Sequence, residues 1–149
     1  MKLSLLISDN LNLDTTNTAL LLYAKTELLF KQKQYSDCLK KAELLENNFP
    51  NHSLLDEVIF KKAKVYIEMQ DFNNALNCLN KICEHYSNDI LYDDALFYQA
   101  QIYEQIIKDY AKAKQSYEDI LLKTPNSIFI NQARKRYNVL RENNFIEIR

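Results

Sequence analysis

Residues with catalytic or metal-binding chemistry are few in this chain of 149 residues. Its two histidines are His52 and His85, and its three cysteines are Cys38, Cys78 and Cys83. No Cys-x-x-Cys, His-x-x-x-His or His-Glu-x-x-His spacing occurs, so the patterns typical of zinc sites and zinc hydrolases are missing. Neither histidine has a cysteine or serine at the spacing of a nucleophile motif. We therefore expect a protein that is not an enzyme, with no catalytic residue, no metal and no cofactor, and interpret the cysteines as small apolar core residues.

The chain contains no glycine. Phosphate-binding loops and the nucleophile elbow of hydrolases need glycine where the backbone approaches a ligand or turns sharply. Two-residue β-hairpins favour glycine at positive φ as well. The missing glycine excludes the first two kinds of site, disfavours hairpins and, with abundant Leu, Ile, Ala, Lys and Glu, indicates a mostly helical chain.

Nineteen basic and twenty acidic residues give a formal net charge of -1, so the overall charge recruits neither nucleic acid nor a membrane. All four arginines nevertheless lie near the C-terminus, at Arg134, Arg136, Arg141 and Arg149, with Lys135 among them. We interpret this basic patch as the solvated face of a last helix. Binding of an acidic partner or a nucleic acid is the alternative.

The sequence contains no run of about 18 apolar residues, so we expect no membrane insertion. The apolar stretch at residues 3–7 is too short for the core of a signal peptide. As written, the chain is expected in the cytoplasm. If it is a fragment of a longer exported protein, the expected location is the periplasm or cell envelope.

Self-comparison reveals three segments that follow one another at steps of 37 residues, each opening with an aliphatic and an aromatic residue. A small residue follows four positions after the aliphatic one, and a large apolar residue three positions later. These spacings place all of them on one helical face. The aliphatic, small and large residues are Leu22, Thr26 and Leu29, then Ile59, Ala63 and Tyr66, then Leu96, Ala100 and Tyr103.

The second half of each unit repeats too, first after 37 residues and then after 38, because one extra residue lies within residues 106–109. Short polar turns at residues 31–34, 69–71 and 107–109 separate the two halves. Each unit is therefore predicted to consist of two amphipathic helices joined by a turn. The matching apolar residues of the second helices are Cys38, Ala42 and Leu45, then Ala75, Leu79 and Ile82, then Ala113, Tyr117 and Ile120.

Pro50 and Pro125 fall at matching unit ends, where proline stops a helix. Acidic pairs follow at Asp56-Glu57 and Asp93-Asp94, and we interpret them as complements of the helix dipole rather than as acid–base pairs. Residues 14–17 are predicted to cap the first helix. The predicted organisation is an N-terminal segment 1–14 that is the possible remnant of a preceding repeat, a repeat domain 15–143 with repeats at about 15–50, 53–87 and 90–125 and a capping helix at 127–143, and a tail at 144–149.

This pattern resembles the tetratricopeptide repeat (TPR) over roughly residues 19–140. The resemblance implies an all-α, right-handed α-solenoid of three helix-turn-helix repeats plus a C-terminal capping helix. The period of 37 to 38 exceeds the usual ~34, and Lys33 and Gln70 stand where the family places a turn glycine. In its longer linkers the chain is similar to the C-terminal repeats of bacterial envelope proteins, such as outer-membrane assembly lipoproteins and the periplasmic Tol–Pal coordinator.

The resemblance implies a non-catalytic interaction module whose first helices line a concave groove for a partner peptide or helix, probably within a larger bacterial scaffold or envelope protein. The family's fifth, ninth and twelfth positions usually face that groove, and Ala133 is aligned with Ala100 in the last helix. The candidate residues are Tyr23, Glu27, Phe30, Phe60, Lys64, Ile67, Phe97, Gln101, Glu104 and Arg134. Whether the aromatic ladder at the fifth position faces the groove or the core is left open. No small-molecule substrate is expected, and self-association into a homo-oligomer is a further alternative.

Overall fold

The computed structural model describes residues 2–87 and 90–147, with side chains described for residues 17–87 and 90–142. All regular structure in these ranges is helical, which confirms the predicted all-α repeat solenoid. The elements are α1 (Lys2–Lys31), α2 (Tyr35–Asn48), α3 (Leu55–Glu68), α4 (Phe72–His85), α5 (Tyr92–Gln101), a π-helical segment (Ile102–Ile107), α6 (Tyr110–Lys123) and α7 (Ile130–Glu147).

The helices pack in chain order, α1 on α2, α3 on α4 and α5 on α6, with each pair resting on the next and α7 on α6. The small residues predicted at the helix crossings, Thr26, Ala63 and Ala100, have no exposed surface. Thr26 donates its hydroxyl to the carbonyl oxygen of Leu22 at 2.7 Å. The Thr26 carbonyl oxygen in turn accepts a hydrogen bond from Cys38 Sγ at 3.3 Å, which ties α1 to α2.

The turns within the first two repeats end their first helices in the same way. Lys33 and Gln70 both have φ of 60°, the left-handed region that favours glycine. The amide of Gln34 donates to the carbonyl of Leu29 at 2.9 Å, and that of Asp71 donates to Tyr66 at 2.8 Å. This hydrogen-bond pattern is the Schellman motif, built here on lysine and glutamine.

The third repeat accommodates its extra residue in the π-helical segment Ile102–Ile107. The closing hydrogen bond lengthens by one residue, since the amide of Asp109 donates to the carbonyl of Tyr103 at 2.9 Å. Lys108 then takes the left-handed position with φ of 62°. The insertion inferred from the 38-residue step is thus absorbed before α6 begins at the expected residue.

Two predicted boundaries differ from the helices. Residues 14–17, predicted as a cap, lie inside the continuous helix α1, and α7 runs from Ile130 to Glu147 rather than over residues 127–143. Residues 88 and 89, at the predicted end of the second repeat, and residues 148 and 149 of the predicted tail lie outside the described residues. The division of the chain into segments 1–14, 15–143 and 144–149 stays a prediction.

Candidate functional site

A cavity of about 410 Å³ lies along the first helices of the repeats and is called the groove cavity below. Its walls come from α1, α3 and α5 and from Phe129 just before α7. Six of the ten residues predicted to face a groove line it: Tyr23, Glu27, Phe60, Lys64, Phe97 and Gln101. The repeat spacing therefore brings these side chains to one surface.

The rings of the aromatic ladder serve both of the roles that the sequence left open. Phe60 and Phe97 are only 8% and 9% exposed, so most of each ring is packed in the core. Phe60 meets Tyr98 edge to face at 5.5 Å between ring centroids. Phe97 stacks on Phe129 at 4.2 Å with an angle of 8° between the rings. The exposed edges of the same rings line the groove cavity.

The α1 side of the groove cavity holds a compact charged network. Lys61 Nζ lies 3.0 Å from Glu27 Oε1 and 4.5 Å above the centroid of Phe30. Burial raises the pKa of Tyr23, and its hydrogen bonds with Glu27 and Glu57 raise it further. Burial alone would raise the pKa of Glu27, but hydrogen bonds from Lys61 and Tyr23 bring it below its usual value. Glu27 is therefore ionised and already paired.

Lys64 is the second cation of the groove cavity and has a different environment. Its ammonium lies 4.8 Å from the centroid of the Phe60 ring, and among residues 2–87 and 90–147 no carboxylate lies within 4.0 Å of it. Burial, followed by repulsion from Lys61, lowers the pKa of Lys64. Across the cavity, burial and the neighbouring Asp93 raise the pKa of Asp94. Lys64 is a desolvated cation held by a ring rather than by a counter-ion.

Two predicted groove residues, Phe30 and Ile67, do not line the groove cavity. Phe30 packs against Tyr35 at 6.0 Å between ring centroids, across the turn from α1 to α2. Ile67 is half-buried against the core around α3 and α4. Both side chains support the ends of their helices.

Glu104 is 8% exposed and is held by two protein partners. Its carboxylate accepts the Tyr117 hydroxyl at 2.8 Å and pairs with the Arg136 guanidinium, whose Nε lies 3.2 Å from Oε1. Burial and the hydrogen bond to Glu104 raise the pKa of Tyr117. Glu104 lines a second cavity of about 280 Å³, which shares Phe97 and Gln101 with the groove cavity. Its charge is thus neutralised between α5, α6 and α7.

Arg134 lies outside both cavities, exposed, with Nη1 3.3 Å from Asn131 Oδ1. The last helix is offset from the alignment used for its prediction. Because α5 begins at Tyr92 and α7 at Ile130, the step is 38 residues and Ala133 corresponds to Ala95, not Ala100. Both alanines are fully buried. In this register Lys135 takes the place of Phe97, and Lys135 does line the second cavity.

The tetratricopeptide-repeat family model matches residues 57–89 and 94–127. These two stretches are tetratricopeptide repeats. They correspond to the second and third predicted repeats and to helices α3 to α6. Tetratricopeptide repeats generally mediate protein–protein interactions and are typically non-catalytic. No curated protein matches the chain at a significant level.

The groove cavity of these tetratricopeptide repeats includes six residues that the sequence reasoning missed. They recur in columns at the repeat step, because each column holds one position of the first helix. One column lies three residues before the ladder ring, one directly after it and one six residues before it. The missed residues are Glu57 and Asp94, Lys61 and Tyr98, and Leu91 and Phe129. The same 37-residue comparison that found the ladder contains these columns.

The residues first considered for chemistry have structural roles in the fold. His52 Nδ1 accepts the amide of Leu54 at 3.1 Å and so shapes the turn before α3. Burial raises the pKa of the Cys38 and Cys78 thiols and raises that of Cys83 to about 12. These thiols are protonated at neutral pH and are weak nucleophiles.

Part of the C-terminal basic patch is engaged within the fold, since Arg136 pairs with Glu104 and the Arg141 guanidinium lies 5.9 Å from the Tyr137 ring centroid. Arg134 and Lys135 are exposed. In the described part of the chain, no cluster of three His, Cys, Asp or Glu side chains has the arrangement of a metal site. The same residues include no helix with the length and apolarity of a membrane span.

Proposed function

We propose that the chain binds a peptide or helix of a protein partner in the groove along its first helices. The groove cavity carries this proposal, because three successive first helices and the segment before α7 contribute to one concave site of about 410 Å³. That volume lies within the range of about 300–1,000 Å³ typical of ligand pockets. Aromatic walls with a charged rim suit an apolar anchor side chain surrounded by polar contacts.

The charges favour an anchor with an acidic neighbour. Lys61 is already paired with Glu27, whereas Lys64 has only the Phe60 ring. A partner carboxylate placed near Lys64 would gain a charge-assisted hydrogen bond in a partly desolvated site, where such bonds are strong. We therefore expect the bound segment to present a large apolar residue and an aspartate or glutamate close to it.

Selection from a library of random 12-residue peptides tests this proposal on the full chain. Enriched peptides should combine an aromatic or large aliphatic residue with a nearby acidic residue. The variant Lys64→Glu should reduce their affinity about tenfold or more, because it replaces attraction by repulsion. Isothermal titration calorimetry with the enriched peptides measures the change.

Lys114→Glu is the matched control, since Lys114 is also partly buried and lies on α6, which contributes nothing to the groove cavity. Equal binding by wild type and Lys114→Glu, with loss in Lys64→Glu, supports the groove. A library that yields no binder, or binders that tolerate Lys64→Glu, contradicts the proposal.

We further propose that this groove works within a larger bacterial scaffold or envelope protein. The support is the repeat period of 37 to 38 residues with long linkers, the feature in which the chain is similar to envelope repeat proteins. The gene's reading frame upstream of residue 1 tests this part. An export signal with further repeats supports it, and a start codon at residue 1 preceded by an in-frame stop contradicts it.

A further inference from the structure

A second surface, separate from the groove, lies on the outer side of α1. On α3, α5 and α7 the corresponding side packs against the second helix of the preceding repeat. Val58, Ala95 and Ala133 occupy one position of this side at steps of 37 and 38 residues, and each is 0% exposed. The equivalent residue of α1 is Leu21, which is 70% exposed.

One helical heptad further along, the same contrast recurs. Val65, Ile102 and Leu140 are 0%, 4% and 2% exposed, whereas their equivalent Leu28 in α1 is 53% exposed. Residues seven apart lie on one side of a helix, so Leu21 and Leu28 belong to one surface. We call Leu21, Lys25 and Leu28 the first-repeat face.

The three covered counterparts show what kind of element fits this face. In each case two apolar residues three positions apart on the preceding second helix join the same core cluster. These pairs are Ala42 and Leu45 on α2, Leu79 and Ile82 on α4, and Tyr117 and Ile120 on α6. The covering element is therefore an amphipathic helix.

A polar contact accompanies the apolar one at both inner positions equivalent to Lys25. Lys62 on α3 lies 2.8 Å from Glu46 on α2, and the Gln99 side-chain amide on α5 donates to Asn80 on α4. Lys25 is the equivalent residue of α1 and is exposed. By this register, the helix that covers Lys25 carries a carboxylate beside its apolar pair, in the order of Ala42, Leu45 and Glu46.

Charge disfavours a second copy of this chain as the occupant. Two first-repeat faces packed together about a two-fold axis near Lys25 bring the two Lys25 ammonium groups close to each other. The opposite end of the stack presents exposed Arg134 and Arg141 on α7, so head-to-tail packing also places cations against Lys25. Like charges across an interface oppose binding.

We infer that the first-repeat face binds an acidic amphipathic helix of a partner protein, which packs on Leu21 and Leu28 as α2 packs on α3. This site is independent of the groove, so a partner can engage both. It extends the stack by one helix, the kind of nearest-neighbour contact that stabilises repeat proteins.

A helix-stabilised peptide with the α2 sequence, residues 35–48, is the probe for this site. Cys38 is replaced by Ala in the peptide, and a staple joins the positions of Lys40 and Leu44, both exposed on α2. Fluorescence anisotropy with the full chain measures binding. Leu21→Ser should weaken it about tenfold, because the variant removes most of a buried aliphatic contact.

Leu122→Ser is the matched control, since Leu122 is also 70% exposed but lies on α6. It should leave peptide affinity unchanged. Lys25→Glu should weaken binding about fivefold, and a peptide with Lys at the Glu46 position should restore it. This charge exchange separates docking on α1 from invasion of the existing α2 site.

The inference fails if the peptide does not bind at millimolar concentration, or if it binds wild type and Leu21→Ser equally. Sedimentation velocity of the chain alone adds a second criterion. A dimer that dissociates in Leu21→Ser assigns the face to a second copy and overturns the partner helix. A monomer whose peptide binding depends on Leu21 and Lys25 supports it.

Discussion

Three turn residues in a chain without glycine should respond to glycine with increased stability. Lys33, Gln70 and Lys108 have φ of 60°, 60° and 62° and are exposed. The left-handed conformation costs a residue with a Cβ about 1–2 kcal/mol. Glycine avoids that cost but raises the entropy of the unfolded chain by about 0.5–1 kcal/mol. Each substitution is therefore expected to increase the free energy of unfolding by about 0.5–1 kcal/mol.

The triple variant Lys33→Gly, Gln70→Gly, Lys108→Gly should combine these effects, because the three turns belong to different repeats and distant sites add. The expected gain is about 1.5–3 kcal/mol. For a chain of this size a gain of 1 kcal/mol raises Tm by about 2–4 °C, so the triple variant should melt about 3–12 °C higher. Urea denaturation and calorimetry measure the two quantities.

Two control variants isolate the backbone effect. Gln70→Ala removes the same side chain but keeps a Cβ, so its stability should stay within about 0.5 kcal/mol of wild type. Lys40→Gly places glycine at an exposed helical position of α2 and should lose about 1 kcal/mol. If Gln70→Gly is no more stable than Gln70→Ala, the turn does not require a left-handed residue, and the Schellman geometry at this turn is wrong.

Four further substitutions test the packing and the ionisable groups. Ala100→Leu should lose about 1–3 kcal/mol in urea denaturation, because Ala100 is 0% exposed and has no room for extra carbons; an unchanged midpoint contradicts the repeat alignment. Phe60→Ala should lose about 3–5 kcal/mol, and a variant with native melting would show that the ring is not part of the core. Glu104→Gln should lose about 1–2 kcal/mol in the same assay, discounted because the Arg136 side chain is 40% exposed, and an equal loss in 1 M NaCl would argue against the ion pair. Glu27 has a lowered pKa in the fold, so its stabilisation is present above the ordinary carboxyl pKa and is lost as pH falls through the folded value; the difference in unfolding free energy between wild type and Glu27→Gln should shrink from pH 6 to pH 3, and a constant difference contradicts the pairing with Lys61.

The repeat fold follows from the sequence because its information is periodic. Small residues at 37-residue steps mark the helix crossings, and Thr26, Ala63 and Ala100 are all fully buried there. Asp71 and Asp109, at the ends of predicted turns, cap α4 and α6 by accepting backbone amides three residues on. Apolar periodicity and local capping are both encoded within a few residues, so they can be read without tertiary contacts.

Features that depend on a competition between local signals were harder to predict. Residues 14–17 have capping side chains, yet α1 continues through them. The extra residue of the third repeat was visible only as a 38-residue step, whereas its accommodation as a π-helical segment depends on the fixed positions of α5 and α6. Arg134 was misplaced for a related reason, since Ala133 fits either alignment and only the start of α7 at Ile130 decides between them.

The candidate groove was predictable as a set of columns but not as a surface. A ring such as Phe97 meets Phe129 and Tyr117 on its buried side and the groove cavity on its edge, so the same residue satisfies a packing rule and a binding rule. Sequence spacing fixes the side of the helix and leaves the depth undetermined. Glu104 illustrates the consequence, because its column faces the groove while its carboxylate is neutralised by Tyr117 and Arg136. Lys64 lies on the same helical side without such a partner, and this difference in pairing, which no periodicity encodes, makes Lys64 the informative residue for binding.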